Sequence, residues 1–474
     1  MKQFLLLILY FFFLNSFGQT KIDTEYLKNS LTHLFDKYHI PDASIIVSQD
    51  GNEIFKLDKN SENTNKNYFI GSCSKSFTAL ATLQLVDDGK IELDSPVQKY
   101  LPWFSLKDTV QSKQITIRHL LNQTSGMKTS DGFFDLLTSD QTVFEKEFST
   151  YLNNAELLYN PGTRFNYCNS NYILLGLIIA KVSNQSFESY LEEHIFSKIG
   201  MQNTYASYEK GTKSNMVTGY QDWFHLFKTS KKYKYSDFFV PNGLITSNSD
   251  DMAKYLTCLL DNSVTKMEDT LLSSNSFKLL TTAKSNGYAM GWMTEEIVFN
   301  TNFRKQQNIP FIFHTGSVNS YVSSIAIYSE KKIIISILAN NNSFEFNKEA
   351  LNVVLASVNN GEYQPISSKE KLFKNGLLFI VIIILVNSLI NLKRWYKNNF
   401  KFNLTINYYV IARLIVGLII SIGVLFISKI LYKIPITTLI KFQPDFGYSI
   451  LFISLVGIMS SIVRYFGTIN TIRN

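Results

Sequence analysis

The 474-residue sequence predicts an α+β fold: an antiparallel sheet flanked by helices, with a helical subdomain, followed by three transmembrane helices. Three observations carry this. Two strand patterns, Ala43–Val47 and Glu53–Leu57, flank Asp50-Gly51, a hairpin turn signal. Three more, Phe311–Ser317, Val322–Tyr328 and Ile333–Leu338, follow in close succession with alternating or wholly apolar character. Beyond residue 374 the chain changes to long runs almost free of charge.

The elements follow in chain order. Met1-Lys2, an apolar core over Phe4–Leu14 and the small residues Ser16 and Gly18 read as a signal peptide over 1–18, with Gln19 as the mature start. Tyr26–Tyr38 has an amphipathic helical pattern. After the hairpin, Ser72–Asp88 reads as a helix with Phe77, Leu80, Leu83, Leu85 and Val86 on its apolar face and Gly89 as its C-cap. Pro161-Gly162 marks a turn, and Tyr172–Val182 resumes a helical pattern. Met252–Leu260 reads as helix, and Phe346–Val358 as the helix that completes a domain over 19–359. About 330 residues suffice for one large core. A polar linker, 360–374, leads to a membrane domain over 375–474, with spans at about 375–392, 408–428 and 446–463.

Charge separates the two parts. From Lys371 to Asn474 there are 12 basic residues and one acidic, a balance of +11. The whole chain has 46 basic and 38 acidic residues, so 34 and 37 remain elsewhere, a balance of −3. The basic excess belongs to the membrane tail, and the exported domain lacks the basic face that nucleic-acid binding needs. Lys393, Arg394, Lys397 and Lys401 cluster after the first span, and Arg464 and Arg473 follow the last. The positive-inside rule therefore puts the C-terminus in the cytoplasm and the first domain on the extracytoplasmic, periplasmic side.

Chemistry concentrates in three polar motifs. Ser72 and Lys75 are three residues apart at the start of a helix, so both would face one cleft. A serine hydroxyl needs a neighbouring base, and an enclosed lysine can lose enough basicity to serve. The first turn of the helix also favours the negative charge of an oxyanion. Ser125 to Lys128 and Ser368 to Lys371 share the spacing, so the pair alone specifies little. Tyr167-Cys168-Asn169 lies on a loop entering a helix. Its phenol can shuttle a proton and its amide can orient a carbonyl. His314-Thr315-Gly316, with Ser317, ends a strand where glycine lets a substrate lie against the edge.

These motifs, in this order, make the chain resemble the penicillin-recognising serine hydrolases, in particular the class C β-lactamase-like branch with its DD-peptidases, D-aminopeptidases and esterases. The resemblance runs from about Tyr26 to about Asn359. The segments Ile115–Met127, Pro241–Ser247 with Asp250–Ala253, Gly287-Tyr288 and Gly291-Trp292 resemble further parts of that family. It implies a β-lactamase/transpeptidase-like fold, Ser72 as acylated nucleophile, Lys75 as its base and Tyr167 as proton-transfer partner. It also implies that Asn169 holds the substrate, that His314 and Thr315 line its edge beside Gly316, and that the N–H groups of Ser72 and Ser317 form the oxyanion hole. No metal or cofactor is required. His314 stands where β-lactamases of this group carry lysine. A histidine is mostly neutral at pH 7, so a general acyl hydrolase ranks above a β-lactamase.

The expected function is a membrane-anchored extracytoplasmic serine hydrolase acting on a D-amino-acid peptide, cell-wall peptide or ester. The partners are a small-molecule or peptide substrate and the bilayer. The alternative is a non-catalytic binding or sensing module on the same fold. Cys73 and Cys168 sit inside two motifs that meet in such a fold, so they are either a disulfide or two small buried residues. Cys258 reads as core, and three cysteines give no disulfide framework.

Overall fold

The computed structural model describes residues 22–60, 65–230, 232–262, 270–282, 287–294, 311–359, 361, 363, 369–397, 408–432 and 434–471. The signal peptide and linker residues 360, 362 and 364–368 lie outside these residues, while 369–374, expected as linker, already belong to a tail helix.

Seven strands form one antiparallel sheet: β1 (Ala43–Gln49), β2 (Asn52–Asp58), β3 (Tyr288–Ala289), β4 (Trp292–Thr294), β5 (Ile312–Val318), β6 (Tyr321–Tyr328) and β7 (Ile333–Ala339). Their spatial order is β2-β1-β7-β6-β5-β4-β3. Asp50 and Gly51 both take positive φ in the β1–β2 turn, as a tight hairpin requires. Strands β6 and β7 are buried along their whole length, which is why Ile333–Ile335 reads as a continuous apolar run.

Helices cover both faces. On one face lie α1 (Thr24–Lys37), capped by Asp23, and a partner from the other end of the domain, α5 (Phe344–Val358), capped by Ser343. Leu27, Leu31 and Phe35 meet Phe346, Leu351 and Val354 there, and Lys37 joins Glu349 at 2.8 Å. On the other face lie α2 (Ser74–Asp87), α3 (Asn169–Ser183) and α4 (Ser249–Asp261) within the larger core. The expectation of one apolar face on α2 needs correction. Lys75, Ser76, Thr78 and Thr82 are buried as completely as Phe77 and Leu80. The helix runs through the centre of the core, and its hydroxyls find partners there. Thr82 Oγ1 donates to Thr78 O at 2.8 Å, and Thr78 Oγ1 to Pro241 O at 2.7 Å.

The tail forms α6 (Lys369–Lys397), α7 (Tyr408–Leu425), α8 (Ile436–Phe442) and α9 (Pro444–Thr471). Two stretches, Leu372–Lys393 and Pro444–Val463, are long and apolar enough to cross a bilayer. The expected middle span, 408–428, does not form one helix. α7 ends at Leu425 and its apolar part is Ile411–Leu425; at about 1.5 Å per residue this falls short of a ~30 Å core. Small residues let α7 and α9 approach closely. A β-carbon on Gly417 would lie 2.2 Å from Ser461 Oγ, and one on Gly457 2.3 Å from Ser421 Oγ.

Candidate active site

A single 3-10 turn, Gly71–Cys73, delivers Ser72 to the head of α2. The turn follows the short strand Tyr68–Phe69, which pairs with Thr246–Ser247, so both sides of Ser72 are anchored. Gly71 has φ +52°, and a β-carbon there would lie 2.3 Å from Ser317 N. One on Gly316 would lie 2.1 Å from Ile70 O. These two glycines let the nucleophile turn touch β5. Ser323 Oγ on β6 donates to Ile70 O at 2.6 Å and fixes the approach.

Lys75 is fully buried, and its Nζ lies 3.1 Å from Ser72 Oγ and 2.5 Å from Asn242 O. Its ammonium also lies 5.0 Å from the Tyr167 ring centre. Burial lowers its pKa to about 7, because the charged form has lost its water. Near neutral pH a large share of Lys75 is the free amine, and the Ser72 hydroxyl can then donate to it. The second lysine spacing behaves differently: Lys128 pairs with Glu156 on the surface, while Ser125 Oγ accepts from Met127 N.

The loop before α3 brings the second motif in. Tyr167 interacts with Ser72, and burial raises its pKa well above the usual 10. Gln123 holds this loop: its Oε1 accepts from Cys168 N at 3.0 Å and from Asn171 Nδ2 at 2.5 Å. Asn169 begins α3 and lines the cavity at Ser72 with Ser317. Asn169 Oδ1 and Ser317 Oγ are enclosed and make no hydrogen bond among the described residues.

In β5 the side chains alternate. Thr315 and Ser317 are partly exposed, whereas His314 and Gly316 are buried. The His314 ring does not line the cavity. Its Nδ1 lies 2.7 Å from Thr315 O, which can only accept, so Nδ1 carries the proton; Nε2 then accepts from Tyr288 OH at 3.3 Å. Burial, then the nearby Lys75 charge, lowers its pKa to about 3. It is a neutral packing group.

Cys73, Cys168 and Cys258 are buried, and no disulfide joins Cys73 to Cys168. Cys73 Sγ lies 3.3 Å from His314 O and 3.1 Å from Ser323 Oγ, so it is spent on packing β5 and β6. Burial pushes both motif thiols up to about 12.

Several residues of the site are absent from the sequence reading as functional groups. The Asn242 carbonyl, Gln123 and Tyr288 lie within segments noted for family likeness, but their roles depend on contacts that spacing does not encode. The cavity measures about 120 Å³, below the ~300–1,000 Å³ of sites for drug-sized ligands. Its far wall includes Thr438, Lys441 and Phe442 from the tail.

Comparison with known proteins agrees with this architecture. A family model described as Beta-lactamase matches residues 27–359. Protein flp of Staphylococcus aureus (strain MW2) is 27% identical over 388 residues, covering 79% of this chain and 73% of that protein. The octameric penicillin-binding protein homologue from Pyrococcus abyssi superposes with a TM-score of 0.58 at 25% identity, covering 70% of this chain and 77% of that one. A class C beta-lactamase gives 0.59 at 20% identity, covering 74% and 99%, a likeness of fold alone. The matched stretch contains the sheet, the nucleophile turn and all three motifs, and the chain therefore belongs to the beta-lactamase/transpeptidase-like family.

Proposed function

We propose that this protein is a membrane-anchored extracytoplasmic serine hydrolase that forms an acyl-enzyme on Ser72 from an amide or ester, such as a D-amino-acid peptide, a cell-wall peptide or an ester. The observation that carries the reading is Lys75 Nζ at 3.1 Å from Ser72 Oγ in a fully buried setting. The neutral amine takes the Ser72 proton as Oγ attacks the substrate carbonyl. The N–H groups of Ser72 and Ser317 receive the oxyanion; such donors contribute about 3 kcal/mol each. Tyr167 relays the proton to the leaving group, and Asn169 Oδ1 accepts from a substrate N–H. Water then attacks the ester at Ser72 and regenerates the serine.

Anchoring is by the two spans within α6 and α9, each entering from the extracytoplasmic side, and the C-terminus lies in the cytoplasm. The basic cluster at 393–401 supports that orientation. So does the packing of the residues just before α9 against the hydrolase domain, since it puts the start of that span on the domain's side.

The test is covalent labelling of the full chain in detergent with a fluorophosphonate, read by intact mass and peptide mapping. Label at Ser72 that vanishes in Ser72→Ala is expected. A folded wild-type chain that resists several such probes would overturn the hydrolase and favour a binding or sensing module.

A further inference from the structure

The connection between α7 and α9 closes the cavity at Ser72. α8 and its neighbours supply Thr438, Lys441 and Phe442 opposite Ser72, Asn169 and Ser317. The segment is fastened by buried amides of the hydrolase domain. Gln221, 2% exposed, donates from Nε2 to Lys441 O at 2.6 Å. Asn342, 6% exposed, donates from Nδ2 to Phe442 O at 2.9 Å. Across the mouth, Lys441 Nζ pairs with Asp135.

The same segment leads directly into a span. Pro444, three residues after Lys441, opens the apolar stretch Pro444–Val463. Asp445 accepts from Phe224 N at 3.2 Å and pairs with Lys374 at 3.1 Å. Trp223 stacks on Tyr448 with centroids 5.6 Å apart. Phe224 belongs to the turn of a hairpin, Tyr220–Trp223 with Phe227–Ser230. At that turn Leu226 is 68% and Phe227 56% exposed, directly beside the start of a membrane-crossing helix. Lys232 and Lys234, both exposed, follow, charges suited to an anionic lipid surface. Three residues reach at most ~10 Å, so the cavity wall at Lys441 lies close to the point where that apolar stretch begins.

We propose that this connection is a substrate-contacting wall of the cleft and that the site takes amphiphilic acyl donors from the bilayer surface, with an ester or amide in the head group and an apolar tail left in the lipid. This rests on the acyl-enzyme reading above. Leu226 and Phe227 seat the cleft at the lipid surface, and the Lys441–Asp135 pair spans its mouth.

The test uses the full chain in nanodiscs of phosphatidylcholine and phosphatidylglycerol. Two fluorophosphonates share one reactive head; one carries a short polyether tail, the other a long alkyl tail that partitions into lipid. Partitioning alone enriches the alkyl probe, so the readout is how the ratio of the two rates at Ser72 responds to substitution. Leu226→Asp/Phe227→Asp is expected to leave the short-probe rate unchanged and to cut the alkyl-to-short ratio about fivefold or more. An unchanged ratio would overturn the lipid-surface substrate. Lys441→Glu sets two carboxylates across the mouth and is expected to raise the short-probe rate several-fold, while Asp135→Lys/Lys441→Glu restores it. No response to the first, or no restoration by the second, would overturn the wall. Failure of both probes on folded wild type is a separate result that removes the acyl-enzyme itself.

Discussion

Gly71 and Ser317 meet backbone to backbone: a β-carbon on Gly71 would stand 2.3 Å from the Ser317 nitrogen. The contact joins the nucleophile turn to β5, and it brings together the two N–H groups assigned to the oxyanion. Gly71→Ala therefore carries two costs, a side chain at φ +52° and a collision with rigid backbone. It is expected to destabilise the domain by about 2 kcal/mol or more and to abolish Ser72 labelling, with thermal melts and labelling read together.

On the proposed acyl-enzyme reading, Lys75 sets the pH dependence of acylation. Its pKa near 7 makes the labelling rate rise with pH through about 7 and level off above it. Well below that value the free amine falls roughly tenfold per pH unit. Lys75→Arg keeps charge and length but cannot lose its proton, so it is expected to lose about 10²–10⁴ in labelling rate at every pH. Rate measurements from pH 5 to about pH 9 on both proteins check this.

His314 gives the opposite kind of signature, one of stability. In the fold it stays neutral down to about pH 3, whereas in the unfolded chain it takes a proton near pH 6.5. Between those values the unfolded state binds more protons. The stability tied to this group is therefore whole above pH 6.5 and is lost as pH falls toward 3, by about 1.4 kcal/mol per pH unit. Denaturant unfolding of His314→Asn is expected to show a shallower acid slope than wild type. Labelling should show no inflection assignable to this histidine.

Cys73 and Cys168 are buried thiols whose ionisation is pushed up to about 12. Thiolate is the reactive form. Iodoacetamide at pH 8 is expected to leave both unmodified in the folded protein and to modify both after denaturation. Reducing agent should change neither mobility nor Ser72 labelling.

Much of the domain is legible in the sequence because its signals are local. The Asp50-Gly51 turn, the isoleucine-rich strand at 333–338 and the helix-opening Ser72 to Lys75 spacing each encode their own conformation, and the structure has a hairpin, a buried strand and a helix there. The burial of His314 was within reach, since strand alternation separates residue 314 from 315 and 317. The complete burial of α2 was not. Its hydroxyls read as a polar face until Pro241 and the neighbouring turn supply partners. Asn242 acts through its carbonyl, which every residue has, so residue type carries no trace of it. The break at Phe426 has apolar residues on both sides, Leu425 and Ile427, so residue type marks no helix end there. The meeting of Asp135 with Lys441 joins segments about three hundred residues apart through surface complementarity alone.

The pairing of β1 with β7 places Ala43 opposite Ala339, and this sets a timetable for biogenesis. The sheet cannot close until almost the whole domain has been made, since its central neighbours come from opposite ends of the chain. Contacts of such separation form slowly. Until they do, α2 and its buried lysine have no β5 to pack against, and the nucleophile has no oxyanion partner. The first tail helix begins only thirty residues after β7, at Lys369. On the proposed membrane-anchored reading, the tail follows the last strand so closely that the cleft at Ser72 is completed beside the bilayer.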